Sequence, residues 1–213
     1  MRLRDTVDKI VEAYLAGVCS EPFFYKGNLH KPKPIYVSPL ILRGFACPTH
    51  CGACCGSFSL DYLPSERPTK EAKPREISVS GMAVPLVSDI QHDVPGPWCR
   101  NLIASNGRCR VYDQRPFACD FELIRFVHQA RRVIITQKLY GRAWAMGRLD
   151  GHLGALCYMT EPTEGTRSEV LRKFTRLAEW ADHLGVRTRI AEIRDWVSTA
   201  DCREPLILEP LPY

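Results

Sequence analysis

Apolar residues at helical spacing mark both ends of the chain. At the start, three- and four-residue intervals separate Val7, Ile10, Val11, Tyr14 and Leu15. This period, ending near Gly17, predicts an amphipathic helix over roughly 5–16. Residues 166–184 and 188–200 repeat the pattern, and Gly185 is a natural stop between them. The last third is therefore predicted to be helical.

The middle of the chain has strand-like segments separated by turn-forming residues. Residues 20–34 and 64–76 are polar and Pro-rich, and both are predicted to be loops. Strands are expected in four segments: 35–42 (interrupted by Pro39), 57–63, 122–129 and 131–140. Two more short strands are expected within 77–87, on either side of Ser80-Gly81, with Pro85 restricting the second to a sheet edge.

The clearest hairpin is predicted over residues 98–113. Asn106-Gly107 supplies the two positive-φ residues that a type I′ turn requires. Such a turn brings the two arms, and with them Cys99 and Cys109, close together. A turn is expected to follow over 113–121.

These elements predict an α+β fold with an irregular, cysteine-rich β core. An N-terminal helix and lead-in would occupy 1–44, and a cysteine-cluster metal-binding domain 45–160. C-terminal helices and a Pro-rich tail would occupy 161–213, packed on the same domain. Since free termini are usually disordered, an ordered tail at 203–213 would have to pack on this domain or dock on a partner.

Composition and charge narrow the function classes. The 213 residues include 45% hydrophobic and 25% charged residues, and the net charge of +5 is scattered along the chain. The basic stretches lack interleaved aromatics, so no nucleic-acid partner is expected. The N-terminus does not resemble a secretory signal and no long apolar run occurs, so no membrane association is expected. We predict a cytoplasmic protein.

Seven of the ten cysteines fall in two blocks. The first block, in CPTHCGACCG (47–56), contains Cys47, Cys51, Cys54 and Cys55. The second contains Cys99, Cys109 and Cys119. A C-x2-C turn directs two thiolates at one metal ion. In a reducing compartment, clustered cysteines are more often metal ligands than disulfides.

The two blocks leave several arrangements open. Seven thiols exceed one four-ligand site, so they suit two metal sites, or one cluster and a site completed by His50, His92 or Asp120. A disulfide framework remains the principal alternative to metal binding. Arg115 could donate hydrogen bonds to thiolate sulfurs, or it could pair with Asp113 or Asp120 to hold the turn. Asp120 and Glu122 are predicted to be surface acids, although Asp120 directly follows a predicted ligand and could instead support that ligand. Tyr112 is predicted to pack rather than react. Cys19, Cys157 and Cys202 are interpreted as core or incidental residues, with Cys157 as a possible eighth ligand.

Read together, the two blocks resemble a known cysteine-cluster family. The elements CGACCGSF and CRVYDQRPFAC (109–119) follow each other as they do in the CxxCxxCC, or YkgJ-like, family, with matches at Cys109, Tyr112, Arg115, Pro116 and Cys119. Three residues separate Cys47 from Cys51, whereas the CxxCxxCC pattern has two residues between its first two cysteines. Cys47 is therefore the weakest match. The resemblance implies chelation of zinc or iron by residues within about 45–125.

The choice of metal and role stays open at this point. The compact cysteine run with distant single cysteines favours a [4Fe-4S] cluster over zinc. The metal centre is expected to have a redox or a structural role. Alternatively, the protein is a component of a larger assembly, and the metal only stabilises its fold. An iron-dependent enzyme is a third class. The C-x3-C-x2-C spacing also occurs in radical S-adenosylmethionine enzymes, and a similar signature occurs in flagellin lysine methylases. No S-adenosylmethionine-binding glycine loop follows a strand, however.

Overall fold

The helix-spaced residues at the start of the chain form the first helix of a computed structural model. The structure describes residues 6–46, 60–63, 65–66, 73–89, 101–103, 108–137, 158–199 and 203–210. The first helix, α1, consists of Thr6–Asp8, a π-helical Lys9–Leu15 and Ala16–Val18. Its apolar stripe, from Val7 to Val18, is buried.

Three further α-helices follow in the described part of the chain. They are α2 (Phe117–Asp120), α3 (Glu164–His183) and α4 (Ile190–Thr199). Helix α3 begins with a capping box in which Thr163 and Thr166 satisfy each other's backbone N–H groups. It ends at Gly185, whose φ of +66° favours glycine. The two C-terminal helices and the Gly185 stop confirm the helical prediction.

The described residues contain thirteen short strands. In chain order they are β1 Phe23–Tyr25, β2 Asn28–His30, β3 Ile35–Val37, β4 Arg43–Ala46, β5 Leu60–Tyr62, β6 Lys73–Val79, β7 Met82–Asp89, β8 Leu102–Ile103, β9 Arg108–Cys109, β10 Ile124–His128, β11 Val133–Gln137, β12 Tyr158–Pro162 and β13 Leu206–Leu208.

These strands form two larger sheets and two strand pairs. The five-stranded sheet has the order β2-β1-β6-β7-β5 and is antiparallel throughout. The four-stranded sheet has the order β10-β11-β3-β13, with β11 and β3 parallel. The pairs are β12-β4 and β8-β9. Mixed sheets with helices at both ends of the chain confirm the α+β prediction.

One hydrophobic core joins the N-terminal, central and C-terminal segments. It includes Tyr14 from α1, Phe121 from the loop after α2, and Phe174 and Trp180 from α3. Tyr14 and Phe174 each meet the Phe121 ring at an edge-to-face angle, at centroid distances of 4.8 and 5.6 Å. The predicted division into three segments is not tested by this packing and stays a prediction.

Several strand predictions are confirmed. Strands β10 and β11 pair over five residues, as expected for 122–140. The β6–β7 hairpin turns at Ser80-Gly81, where both residues have positive φ. Strands β8 and β9 pair as predicted, whereas the Asn106-Gly107 turn between them lies outside the described residues.

Two predicted loops contain strands. Residues 20–34 include the hairpin of β1 and β2, which turns at Lys26 (φ 48°) and Gly27 (φ 78°). This is the left-handed pair of a type I′ turn, and the alternation of buried Phe23 and Tyr25 with exposed Phe24 was hidden by the polar flanks. In the second loop, β6 already begins at Lys73.

The prediction that Pro85 lies on an edge strand is wrong, because its strand, β7, has a neighbour on each side. Strand β7 lies between β6 and β5. Strand β5 pairs only with Val87, Ser88 and Asp89, so Pro85 is beyond the end of β5. Its carbonyl instead makes a hydrogen bond with His183 Nε2 (2.9 Å). The missing proline N–H therefore costs no ladder bond there.

Part of the C-terminal tail forms a strand that pairs with β3. Residues Leu206–Leu208 pair antiparallel with β3 and extend the four-stranded sheet. Arg189 donates a hydrogen bond to the carbonyl of Glu209 and holds the end of the strand. A partner that binds the tail is not tested by this pairing and stays a prediction. None of the helices in the described ranges has the length and apolarity needed to cross a membrane.

Gly17 provides a test of the close packing between α1 and the four-stranded sheet. A Cβ built at Gly17 would lie 2.7 Å from Phe126 Cδ1 and 3.2 Å from Val133 Cγ1. We expect Gly17→Ala to lower the free energy of unfolding, because overpacking costs about 1–3 kcal/mol and outweighs the helix-propensity gain. Urea unfolding monitored by circular dichroism measures the change.

Gly165→Ala is the matched control, since its Cβ would meet only Thr163 Oγ1 at 3.7 Å. This change in α3 should be neutral or stabilise by up to about 1 kcal/mol. Equal stability of the two variants would contradict the close approach at Gly17.

Candidate metal centre

The structure describes two of the seven predicted ligands, Cys109 and Cys119. The others, Cys47, Cys51, Cys54, Cys55 and Cys99, lie outside the described residues, as do His50, His92, Cys157 and Cys202. Across the described ranges, no group of three or more His, Cys, Asp or Glu side chains is arranged to hold a metal ion. The full ligand set stays a prediction.

Cys109 ends β9, the second arm of the predicted hairpin. It is opposite Leu102 in β8, and the ladder continues through a hydrogen bond from Arg110 N–H to the Asn101 carbonyl (2.8 Å). The thiol is half-buried and forms no disulfide. The hairpin therefore fixes the backbone at one predicted ligand.

Cys119 lies in the single-turn helix α2, which begins after Pro116. Phe117 and Phe121 anchor this segment in the core, with ring centroids 5.1 Å apart. Cys119 is half-buried and packs against the small cluster that Tyr62 and Ala118 form. The turn that carries the second ligand is therefore in contact with β5.

Strand β5 follows the first cysteine block in the chain and contacts the second. Because β5 begins five residues after Cys55, the Cys55 Cα can lie no more than about 18 Å from that of Leu60. Tyr62, two residues further on, is 2% exposed and lies against the helix turn that carries Cys119. On the other side of the block, β4 ends directly before Cys47 and is paired with β12. The described residues that flank the first block therefore belong to sheets.

Asp120 is the most enclosed charged residue of this region. Its side chain is 1% exposed. Arg172 donates two hydrogen bonds to it, at 2.5 and 2.8 Å, and Arg176 donates one at 2.9 Å. Arg115 is within 3.4 Å. The carboxylate is therefore shared by three guanidinium groups.

These cations decide the protonation of Asp120. Burial alone would raise the pKa of the Asp120 carboxyl, but the hydrogen bond from Arg172 and the charges of Lys173, Arg172 and Arg176 outweigh it. The pKa is lowered from its ordinary value, so Asp120 is ionised at neutral pH.

One prediction about Asp120 is consequently wrong. It is not a surface acid, because residues 117–121 turn its side chain into the protein beneath α3. Both of its carboxylate oxygens accept from arginine, and its role as an extra metal ligand is not tested and stays a prediction. Glu122 has no described side chain, so its surface prediction is untested.

Arg115 pairs with Asp120, which was one of its two predicted roles. Its Nε donates to the Tyr112 carbonyl (2.9 Å), and its guanidinium stacks over the Tyr112 ring at 3.8 Å. Tyr112 thus packs against Arg115, in line with the sequence interpretation. A hydrogen bond from Arg115 to a thiolate is not tested and stays a prediction.

Glu66 is a functional candidate that the sequence did not indicate. Its Oε2 accepts from Leu63 N–H (3.1 Å), and its Oε1 accepts from Phe117 N–H (2.9 Å) and from Arg176. In the Pro-rich segment PSERP it reads as an ordinary surface acid, and no spacing signal distinguishes it.

The donor chemistry at Cys109 and Cys119 fits a thiolate metal site, and Cys19 provides the contrast. Cys19 is buried in the core, and its thiol donates to the Ala16 carbonyl (3.7 Å). Burial raises the pKa of the Cys19 thiol to about 11, which disfavours the thiolate that a metal requires.

Comparison with known families supports metal binding by this region. Residues 46–137 match the model of the CxxCxxCC family, which is described as "Putative zinc- or iron-chelating domain". The match confirms the resemblance found in the sequence. Neither a curated protein nor a solved structure matches the chain.

The Asp120 cluster can be tested through stability. We expect Asp120→Asn to lower the free energy of unfolding by about 3 kcal/mol, because it leaves buried guanidinium charge without its partner. The control is Glu161→Gln, which removes an ion pair with Arg43 in which the glutamate is largely exposed. Such a pair is worth no more than about 1 kcal/mol. A similar small loss in both variants, measured by urea unfolding, would contradict the cluster's structural importance.

Proposed function

We propose that this chain, which carries a CxxCxxCC domain over residues 46–137, binds a metal centre through both cysteine blocks. The ligands would be drawn from Cys47, Cys51, Cys54, Cys55, Cys99, Cys109 and Cys119. A [4Fe-4S] cluster is the favoured occupant, and zinc is the alternative.

The observation that best supports this proposal is the packing of the Cys119 turn against β5. Tyr62 contacts this turn and follows the first cysteine block by only a few residues. Two segments more than fifty positions apart are thereby neighbours in the fold, which supports a centre that draws ligands from both blocks. Since a metal that joins distant segments contributes its binding energy to folding, such a centre would also stabilise this loop-rich part of the chain.

Charge supports a thiolate-ligated centre. Among the described residues next to Cys119, three arginines meet only two carboxylates, Asp120 and Glu66, so one positive charge is left over. This charge favours an anionic centre nearby, whether it is an iron–sulfur cluster or a zinc ion with four thiolates. The compact first block with remote single cysteines favours iron–sulfur ligation over zinc.

The role follows from the occupant. An iron–sulfur cluster supplies one-electron transfer, whereas zinc supplies a redox-inert cross-link. We therefore propose a redox role for the iron-loaded protein. No described group of residues specifically favours an enzymatic role, such as methyl transfer.

Metal analysis of anaerobically purified protein tests the proposal. We expect about four irons per chain with matching acid-labile sulfide and a brown colour. Cys54→Ala and Cys119→Ala, one from each block, should each lose most of the metal. Cys19→Ala is the control and should retain it, because Cys19 is buried in the core.

The outcomes separate the alternatives. A colourless protein with about one or two zinc ions per chain would replace the iron proposal with a structural zinc site. Full metal retention in Cys119→Ala would exclude Cys119 as a ligand. A metal-free protein with its cysteines paired as disulfides would overturn the proposal.

A further inference from the structure

The carboxylate of Glu66 connects the end of β5 to the turn that carries Cys119. We propose that Glu66, joined to Arg176, is a positioning residue that holds the Cys119 turn against the end of β5 before metal binds. This inference rests on the proposed metal-binding function and concerns how the site is assembled.

Glu66 attaches to both segments through their backbones. Its Oε2 accepts from the N–H of Leu63, the residue that follows β5 and hence the first block. Its Oε1 accepts from the N–H of Phe117, the first residue of α2, which carries Cys119. One side chain thus fixes the end of β5 relative to the turn that carries Cys119.

Arg176 connects the Glu66 hydrogen bonds to a rigid helix, and we call Glu66 and Arg176 with their partners the junction. It lies in the 20-residue helix α3 and binds Glu66 through Nη2. Through Nη1 it binds Asp120 Oδ2 (2.9 Å) and the Arg115 carbonyl (3.1 Å). The planar, five-donor guanidinium can make these bonds together, which a lysine ammonium cannot do with the same geometry.

The junction is shielded enough to hold in the absence of metal. The Glu66 and Arg176 side chains are only 12% and 15% exposed, so solvent screens their interaction weakly. Every bond involves an ionised partner, and such bonds are the strong ones. Ligands that are already positioned lose less conformational entropy when the metal binds. The junction should therefore slow the release of metal by pre-ordering the site.

The test measures how fast the metal-loaded protein transfers its metal to an excess of a chelator. We expect Glu66→Gln to release metal about 10- to 100-fold faster than wild type, the range typical of residues that orient metal ligands. The measurement is made at a temperature where circular dichroism shows both proteins folded. Glu192→Gln is the matched control, because Glu192 also pairs with a poorly exposed arginine, Arg189, but in α4.

Arg176→Lys is the second variant and decides the matter if Glu66→Gln does not fold. It keeps the charge but cannot bridge both carboxylates, so its release rate should lie between those of wild type and Glu66→Gln. Release at the wild-type rate from folded Glu66→Gln and Arg176→Lys would overturn the positioning role.

A failure of the proposed function would look different. If wild type binds no metal, the metal centre itself is refuted. If wild type binds metal and both variants release it at the wild-type rate, the metal centre stands and the positioning role falls. Equal acceleration in Glu192→Gln would show a general loss of stability and would likewise overturn the inference.

Discussion

The buried carboxylate of Asp120 is the interaction on which the region around Cys119 depends. An ionised carboxylate at 1% exposure is costly to desolvate, and it is tolerated because arginines from two segments surround it. Arg115 belongs to the turn before α2, whereas Arg172 and Arg176 belong to α3. The cysteine-bearing turn is therefore held against the C-terminal helix by charge, and by Phe117 and Phe121 in the core.

This dependence gives the C-terminal helices a role that lies outside the family match. Residues 46–137 carry the matched domain, but the groups that fix Cys119 in place come partly from α3, beyond the match. Trp180 and Phe174 from the same helix complete the aromatic core around Phe117 and Phe121. The metal-binding region is thus supported by elements whose sequence contains no metal-binding motif.

Much of the fold could be predicted from local patterns. The periodicity of Val170, Phe174 and Leu177 located the start of α3 to within two residues. The Ser80-Gly81 pair correctly marked the turn of the β6–β7 hairpin. The short strands β1 and β13 were missed because three residues between prolines and polar residues carry little periodicity. Their pairing with β6 and β3 depends on tertiary contacts.

The candidate site shows the same division. Cysteine spacing and the Arg115-Pro116 pair of CRVYDQRPFAC pointed to Cys109, Cys119 and Arg115, since ligand chemistry leaves a sequence signal. Glu66 and Arg176 are 110 positions apart and meet only in the fold. The burial of Asp120 also depends on α3, so neither its ionisation nor its arginine partners could be read from its neighbours.

X-ray absorption spectroscopy of the metal-loaded protein tests the central claim most directly, because it reports the atoms bound to the metal. A centre built from both cysteine blocks predicts a first shell of sulfur at about 2.3 Å, with metal–metal scattering in addition if the occupant is a cluster. A first shell dominated by oxygen or nitrogen would contradict a thiolate centre.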